Sequence, residues 1–434
     1  AKQAICLTAN DASLNFLVLG GIGEGKTTAM INPLLLQLLD QDCGGLIFDV
    51  KGSFHESVYH FAAMTKKEII TIGPNKQKIN LIAGLSPEVA TDIMSSIFFM
   101  TNGNNQNTYW VTQAANLCRG AFGLLQFLPQ HYSLTGLSRF IFDPKFREEV
   151  DETLNQKQDL SDKAIREIQG YRQSLDMFIN CHEKMRSDIE ATASSALSQF
   201  THPDVESSFC SPSQQQLPLE SVLDGSIFLV DMPKSEYGQL SRIVHTFIKM
   251  RWFHVMEARR RHHEWNQDRM VFFMCDEYQD LITANPTGGV ISDLNFWDKA
   301  RDTKTIGIIS AQSVSSFASA VGNITLAETI LQNFRQRICF KTEDEKTILH
   351  LQKITGEAII NTKTISRQKS HSDQKNYTSH GRSSSQSISQ TKRAIIDGQL
   401  MRGLTKNEVI ALLNIGQESM DDLAQLIPIY MKKL

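Results

Sequence analysis

The chain has 434 residues, of which 41% are hydrophobic and 21% charged, a composition typical of soluble globular proteins that argues against intrinsic disorder. Its 47 acidic and 44 basic residues give a formal net charge of -3. This charge argues against a protein that coats nucleic acid through an overall positive charge, but it permits local basic patches. The seven cysteines include no C-x-x-C pair, so neither a zinc ribbon nor a disulfide scaffold is expected, and their usage suits a reducing cytosol.

Targeting signals are scarce in the sequence. No run of about 18 apolar residues occurs, so no bilayer-spanning helix is predicted, and residues 1–11 lack the apolar stretch of a signal peptide. The first residue is not methionine, and the first motif follows almost at once. We therefore expect that the chain is a piece of a longer protein or that its N-terminal part lies elsewhere.

Short, continuous apolar runs predict buried parallel strands, because strands covered on both faces do not alternate polar and apolar residues. Helical segments separate most of these runs, an alternation that predicts an α/β fold with a mostly parallel sheet and right-handed crossovers. The seven predicted strands are residues 14–20, 45–50, 68–73, 226–231, 270–275, 305–310 and 337–341.

A phosphate-binding P-loop pattern, G-x-x-x-x-G-K-T, follows the first predicted strand at residues 20–27 and precedes a helical segment, as the motif requires. Glycines let backbone N–H groups turn toward phosphate oxygens, and the helix N-terminus adds a positive dipole end. In this pattern Lys26 reaches the β- and γ-phosphates, and Thr27 offers its hydroxyl to Mg²⁺. ATP and Mg²⁺ are the expected cofactors, and the predicted nucleotide-binding residues are Gly20, Gly21, Gly23, Glu24, Gly25, Lys26, Thr27 and Thr28.

A long stretch without strands, residues 87–201, interrupts the α/β alternation. Its apolar residues recur every three or four positions, which predicts an all-helical insertion with an Asn-rich loop at residues 101–107. We therefore divide the chain into a nucleotide-binding domain, residues 1–86 and 202–434, and an all-helical domain, residues 87–201.

An acidic pair, Asp276 and Glu277, directly follows the fifth predicted strand. In a P-loop protein the strand-end aspartate holds Mg²⁺, so Asp276 is the second predicted metal residue beside Thr27. Glu277 is predicted to be the general base that polarises the attacking water. Residues 285–290, which contain N-P-T-G-G, predict a turn soon after this pair, and a loop that lines a pore is the alternative.

Two further residues are candidates for catalysis. Gln312, at the end of the sixth predicted strand, is suited to sensing the γ-phosphate or orienting water, and a capping role at the turn is also open. Arg301 is either an arginine finger that reaches across a subunit interface or a surface arginine. No N-K-x-D motif for guanine follows a strand, which favours ATP over GTP.

Basic residues concentrate in two places. Residues 259–263 read R-R-R-H-H at the end of a predicted helix, where they either complement the helix dipole or contact nucleic acid. Residues 363–393 hold nine serines and seven Lys/Arg against one acid. That composition predicts a flexible surface loop without a packed core, and an arm that touches nucleic acid or an acidic partner is the alternative.

Several motifs beyond the P-loop resemble those of the VirD4/TraG/TraD-type coupling ATPases of bacterial type IV secretion and conjugation systems, which are related to the FtsK/HerA DNA motors. Asp49 and Lys51 match a D-x-K-G-E element after the second strand, although Ser53 stands where the family tends to carry glutamate, and Leu81 where it tends to carry proline. Further similar elements are Asn80 in KINLIAGL, Trp110 in TYWVTQAANL, the D-E pair at 276–277, the A-R and Q-S elements with Arg301 and Gln312, residues 333–347, and the tail at 426–434.

This resemblance implies a RecA-like nucleotide-binding domain, an all-helical domain that faces the cytoplasm, and a hexameric ring at the cytoplasmic face of the bacterial inner membrane. It implies that ATP hydrolysis helps to pass relaxase-bound DNA or effector proteins, with their adaptors, to a secretion channel. The implied partners are the channel ATPases and inner-membrane components. Two alternatives stay open: a platform that recruits cargo while nucleotide is bound slowly as a structural element, and a HerA/FtsK-like DNA motor.

Overall fold

The computed structural model describes residues 5–102, 108–210, 217–284, 291–374 and 377–429. The predicted loop at 285–290, most of the Asn-rich loop and the end of the tail motif lie outside these ranges. The strands are β1 (Phe16–Leu19), β2 (Gly44–Asp49), β3 (Ile69–Ile72), β4 (Ile227–Asp231), β5 (Val271–Cys275), β6 (Thr305–Ala311), β7 (Gln336–Cys339), β8 (Glu357–Gln374), β9 (Tyr377–Ala394), β10 (Glu408–Ile415) and β11 (Glu418–Gln425).

Helices cover both faces of the sheet and build a large helical layer between β3 and β4. They are α1 (Ala9–Ala12), α2 (Asn32–Asp40), α3 (Phe54–Thr65), α4 (Pro87–Thr101), α5 (Thr108–Leu125), α6 (Leu134–Phe142), α7 (Pro144–Gln156), α8 (Asp162–Ile179), α9 (Glu183–Leu197), α10 (Pro203–Phe209), α11 (Lys234–Arg259), α12 (Asp293–Phe296), α13 (Val314–Val321), α14 (Ile324–Leu331), α15 (Glu345–Thr355) and α16 (Gly398–Gly403). In the part of the chain that the structure describes, no helix is both long and apolar enough to cross a bilayer.

Within the described residues, nine strands form one sheet in the order β11-β10-β7-β1-β6-β5-β2-β4-β3. All seven predicted strands are in this sheet, each within two residues of its predicted bounds, and all pair in parallel with their neighbours among the seven. The α/β prediction is therefore confirmed. The sequence reasoning missed β10 and β11, which extend the sheet beyond β7 as antiparallel strands.

Strand β1 explains why the predicted runs are continuously apolar. Phe16 and Val18 pack into the hydrophobic core on one face of the sheet, whereas Leu17 and Leu19 pack into the core on the other. Because both faces are covered, every residue of β1 is buried, as is every residue of β2, β5 and β6.

The stretch predicted as all-helical is helical in the structure. Helices α4 to α9 fill residues 87–201 apart from their connections, and α10 continues the layer to Phe209. Helix α4 packs on α5 and on the long helix α11, so the layer is joined to the sheet through α11. The division of the chain into two domains stays a prediction.

The prediction of a flexible loop at residues 363–393 is wrong. Strands β8 and β9 pair there as an antiparallel ribbon that runs from the pair Glu357–Ala394 to the pair Gln374–Tyr377 and forms a sheet of its own. No proline interrupts the ladder, so backbone hydrogen bonds hold the ribbon without a packed core. The described side chains from Asn361 to Arg393 are exposed, as the polar composition led us to expect.

A fully buried ion pair holds the segment that follows β5. The Lys249 ammonium on α11 lies 2.6 Å from an Asp293 carboxylate oxygen and also donates to Thr283 Oγ1 at 3.1 Å. Asp293 accepts further hydrogen bonds from the Thr283 N–H, from Trp297 Nε1 and from the Tyr278 hydroxyl. The charges are thus paired, and most of their hydrogen-bonding capacity is used inside the core.

We predict that Asp293→Ala lowers the free energy of unfolding by about 3–5 kcal/mol, because it leaves the Lys249 ammonium buried without its counter-charge. Denaturant titration followed by circular dichroism measures the change. Asp302→Ala is the control, since Asp302 pairs with Arg260 at the surface with both side chains more than half exposed, and its loss should cost less than about 1 kcal/mol. Equal losses for the two variants would contradict the role given to the buried pair.

Candidate nucleotide site

The predicted site residues gather where the parallel strands end. Because β1, β2, β5 and β6 are parallel, the loops that follow them meet at one edge of the sheet, and a cavity of about 440 Å³ lies there. Gly20, Gly21 and Asp276 adjoin this cavity through the contacts described below. It is lined by Ile22, Gly23, Glu24, Gly25, Lys26, Thr27, Thr28, Lys51, Glu277, Gln312 and Lys406.

The P-loop wraps around the side chain of Lys26. The Lys26 ammonium donates to the carbonyl oxygens of Gly20 at 2.7 Å and Gly21 at 3.0 Å, and the residue is only 7% exposed. Burial lowers the pKa of Lys26, while Asp276 and Glu277 act against that change. The loop therefore holds one positive charge at its centre, where a phosphate chain would be cradled.

Gly25 shows why the loop needs glycine. Its φ of +99° is a conformation that L side chains rarely adopt. A Cβ atom at this position would also lie 2.7 Å from Oδ1 of Asn407. Both the backbone conformation and the close approach of a neighbouring chain segment therefore exclude a side chain here.

The two predicted metal residues are in direct contact. Thr27 Oγ1 donates to Asp276 Oδ2 at 2.9 Å, although the two residues belong to loops after different strands. The other oxygen, Oδ1, accepts from the Glu277 N–H at 3.1 Å and from the Ser310 hydroxyl. A hydroxyl and a carboxylate that converge in this way are oxygen donors of the kind Mg²⁺ prefers, so the residues present fit the expected ion.

Glu277 adopts a left-handed backbone conformation with φ of 62° and is buried at the cavity wall. One carboxylate oxygen contacts the Lys51 ammonium, and the other accepts from Gln279 Nε2 at 2.5 Å. Burial acts to raise the pKa of Glu277, but the hydrogen bonds from Lys51 and Gln279 outweigh it, and the pKa is lowered. Glu277 is therefore a carboxylate at neutral pH, the form that a general base requires.

Asp49 and Lys51 have different roles in the loop after β2. Asp49 is fully buried and accepts from the Gly52 N–H at 2.7 Å, the His55 N–H at 2.8 Å and His55 Nδ1 at 2.9 Å, so it fixes the loop that presents Lys51. Lys51 reaches the cavity and lies 3.9 Å from Asp276 Oδ2. Asp49, His55 and Asp231 each offer one potential metal-ligand atom, and these atoms lie within 4.8 Å of one another. The hydrogen bonds between Asp49 and His55 already stabilise the loop.

Gln312 and Arg301 lie at opposite ends of β6. Gln312 directly follows the strand and lines the cavity. Arg301 is exposed on the short helical turn before the strand, so the structure does not bring it to this cavity within one chain. Its predicted role in a neighbouring subunit concerns a second chain and stays a prediction.

The basic helix end at residues 259–263 is partly structural. The Arg259 guanidinium is buried and donates to the carbonyl oxygens of Asn266, Thr303 and Arg269 at 2.7–2.8 Å. Arg260 pairs with Asp302 at the surface. Arg259 is therefore used in packing the helix end against the loops around β5.

Two cavity features were not found from the sequence. Ser310 is adjacent to Asp276 because β6 pairs with β5 in the register Cys275–Ile309, a relation that no local pattern encodes. Lys406 enters from the segment before β10, a strand that was not predicted. Both positions depend on the order and register of the strands in the sheet, which cannot be read from the local sequence.

Comparison with known proteins agrees with this architecture. Residues 7–418 match the model of the family described as type IV secretory system conjugative DNA transfer. No curated protein matches the chain. Among solved structures, the unbound bacterial conjugative coupling protein TrwBdeltaN70 is similar over 100% of this chain and 90% of its own, with a TM-score of 0.66 and 13% identity. TrwB in complex with ADP and Mg²⁺ gives 0.64 at 11% identity, with 100% and 91% covered.

These likenesses to TrwB are likenesses of fold, the RecA-like P-loop fold, because the sequence identities are low. The family match, in contrast, covers almost the whole chain. The chain therefore belongs to the conjugative DNA transfer family of type IV secretory systems, the type IV coupling proteins.

Proposed function

We propose that this chain is the ATP-hydrolysing part of a type IV coupling protein, which recruits DNA or protein cargo and drives it into a secretion channel. The observation that carries the proposal is the hydrogen bond between Thr27 and Asp276 inside a P-loop cavity, with the carboxylate of Glu277 beside it. That TrwB has been solved with ADP and Mg²⁺ and with a non-hydrolysable ATP analogue supports nucleotide as the ligand.

The residues divide the work of hydrolysis among them. Thr27 and Asp276 would hold Mg²⁺, which supplies positive charge to the phosphate chain. Lys26 neutralises charge that develops on the bond between the β- and γ-phosphates. Glu277 accepts the proton of the water whose oxygen attacks the γ-phosphorus, and Gln312 orients that water. The bond to the γ-phosphorus breaks on the ADP side, so ADP and inorganic phosphate leave.

Partners and assembly follow from the family rather than from this cavity. We propose a homo-hexamer at the cytoplasmic face of the inner membrane, in contact with channel ATPases and inner-membrane components, with Arg301 contacting the neighbouring subunit. The exposed position of Arg301 is compatible with such a contact. Specificity for ATP rather than GTP is also a proposal, since TrwB has been solved with a GTP analogue as well.

The β8–β9 ribbon is a candidate surface for DNA cargo. The pairs Ile359–Lys392, Lys363–Ile388 and Arg367–Ser384 follow one another at four-residue intervals along the ladder, and because that spacing is even their side chains share one face. Lys363, Arg367 and Lys392 on that face are exposed and can contact phosphates. The opposite face carries mainly serine and threonine, and its Arg393 is paired with Asp397, so most of the positive charge lies on the face of Lys363, Arg367 and Lys392.

Substitution of the two central residues tests hydrolysis. Lys26→Ala should abolish ATP turnover, and Glu277→Gln should lower it at least about a hundredfold while nucleotide binding persists, because only the proton transfer is lost. Phosphate release by the purified full-length protein with Mg²⁺ measures both. The controls are Lys163→Ala and Glu264→Gln at exposed positions. Unchanged turnover in both site variants would refute hydrolysis at this cavity, and cargo binding without any turnover in the natural chain would favour the recruitment platform.

The pH dependence tests the pairing of Lys51 with Glu277. Because contact with Lys51 lowers the pKa of Glu277, the natural chain should keep its base ionised as the pH falls until that lowered pKa is reached. Lys51→Met removes the ammonium that counteracts the effect of burial on Glu277, so the pKa of Glu277 should rise. The acid limb of the turnover profile should therefore move to higher pH. The midpoint of that limb is the measurement, with Lys163→Met as the control. An unmoved midpoint would contradict the pairing.

Charge neutralisation on the ribbon tests its contact with DNA. The triple variant Lys363→Gln, Arg367→Gln, Lys392→Gln should bind duplex DNA more weakly, with a salt dependence shallower by up to about 0.9 per lost contact. Fluorescence anisotropy at several salt concentrations measures both quantities. The matched control, Ser385→Glu, Ser387→Glu, Thr391→Glu, changes the net charge equally on the opposite face. Equal effects of the two sets would mean that overall charge, and not this face, matters.

A further inference from the structure

A second cavity lies between the helical layer and the segments that follow β5 and β6. Its volume is about 240 Å³, and no described residue lines both this cavity and the nucleotide cavity. Its walls come from the end of α4, from α11, from residues 282–284 and from the end of α13. Residues 282–284 follow soon after Glu277, and α13 begins two residues after Gln312. The cavity is therefore bounded by both segments that lead out of the nucleotide site.

Most of the surface of this second cavity is apolar. Its apolar walls include Ile282 and Val321, which are buried, and Phe99 and Met100 of α4. Met100 is held in place because its sulfur accepts a hydrogen bond from the Thr246 hydroxyl at 3.3 Å. Small-molecule sites are commonly cavities of this kind, with apolar walls and a few polar groups. The volume has room for about eight water-sized groups, which suits a small ligand.

Arg242 brings a positive charge to this cavity without a counter-charge. Its Nε donates to the main-chain carbonyl oxygen of Asp280 at 3.2 Å, and the guanidinium forms no ion pair with a described residue. The Asp280 carboxylate pairs with Lys234 at 2.5 Å instead. The nearby Lys249 ammonium is neutralised by Asp293. Of these three cations on α11, Arg242 is thus the one whose charge stays unbalanced.

The unbalanced charge on Arg242 favours an anionic ligand. A partly buried cation without a partner is costly, because it has lost water and gained no counter-charge. The two Nη atoms of Arg242 donate no hydrogen bond to any described residue, and together with Nε they form the planar fork that matches a carboxylate. Ser319 of α13 also lines the cavity and carries an exposed hydroxyl. A single unpaired cation balances one negative charge, which favours a carboxylate over a doubly charged phosphate.

We infer that this cavity binds a small carboxylic acid with an apolar body. The Arg242 guanidinium binds the carboxylate as a fork, and the Ser319 hydroxyl donates a further hydrogen bond to it. The apolar body packs against Phe99, Met100 and Val321. This site does not depend on the proposed nucleotide site, since none of these residues lines that cavity.

Isocaproate, a branched six-carbon acid, is the probe that tests the site. It should bind with a dissociation constant on the order of 1 mM, and the uncharged isocaproamide should bind at least about tenfold more weakly, because the charge-assisted hydrogen bonds are lost. The measurement is the NMR shift of the Met100 methyl group in the full chain with carbon-13-labelled methionines. Met100→Leu identifies that signal by its absence. Equal binding of the acid and the amide, or no saturable shift of the Met100 signal, would overturn the inference.

Two variants test the walls of the site. Arg242→Met keeps the apolar stem but removes the fork, so the affinity for isocaproate should fall at least about tenfold while that for isocaproamide is unchanged. Arg166→Met, at an exposed arginine of α8, is the control. Ala320→Leu fills the cavity from α13 without changing any charge and should abolish binding of both probes. Undiminished isocaproate binding in a folded form of either site variant would contradict the site.

The carboxylate could belong to a free small acid or to the end of a protein chain. A short peptide that ends in leucine with a free carboxylate distinguishes the two sources, and its amidated form is the control. If the free-carboxylate peptide shifts the Met100 signal and the amidated form does not, the site accepts a chain end. If isocaproate binds and neither peptide does, the ligand is a free small acid.

Discussion

The hydrogen bond from Thr27 to Asp276 depends on the order of three strands. β6 lies between β1 and β5, so the two loops start about 10 Å apart at strand spacing and must lean toward each other over the end of β6. Ser310 on β6 fills the space beneath them and donates to the same carboxylate. The cavity, the candidate metal ligands and the position of Glu277 all follow from this crossing of β6.

Glu277 is held in its unusual conformation by the core behind it. A left-handed backbone costs a residue other than glycine about 1–3 kcal/mol, and such strain persists only where the surroundings impose it. Here the next residue, Tyr278, is fully buried and bonded to Asp293, which is itself paired with Lys249 on α11. The buried network therefore connects the proposed base to the helix on which the helical layer packs.

Sequence reasoning succeeded where local pattern and structure have the same cause. Burial on both faces produced the continuous apolar runs of β1, β2, β5 and β6, and phosphate chemistry produced the glycine and lysine spacing at residues 20–27. It missed β11, whose residues are mostly exposed and polar at a sheet edge. It predicted a loop where the β8–β9 ribbon lies, because low apolar content does not prevent strands from pairing through their backbones. Ser310 and Lys406 reach the cavity through strand register and sheet order, which no neighbouring residue records.

The central position of β1 has a consequence for the order in which the protein can form. The two strands that flank β1, namely β6 and β7, come late in the sequence. Asn15, directly before β1, is accordingly hydrogen-bonded to Gly307, 292 residues away, and to Asn333, 318 residues away. During synthesis from the N-terminus, both edges of the fully apolar strand β1 therefore stay unpaired until roughly two thirds of the chain has been made. Pairing over such separations is slow and leaves hydrophobic strands open to wrong partners, so the nucleotide site is among the last parts of the molecule to be completed.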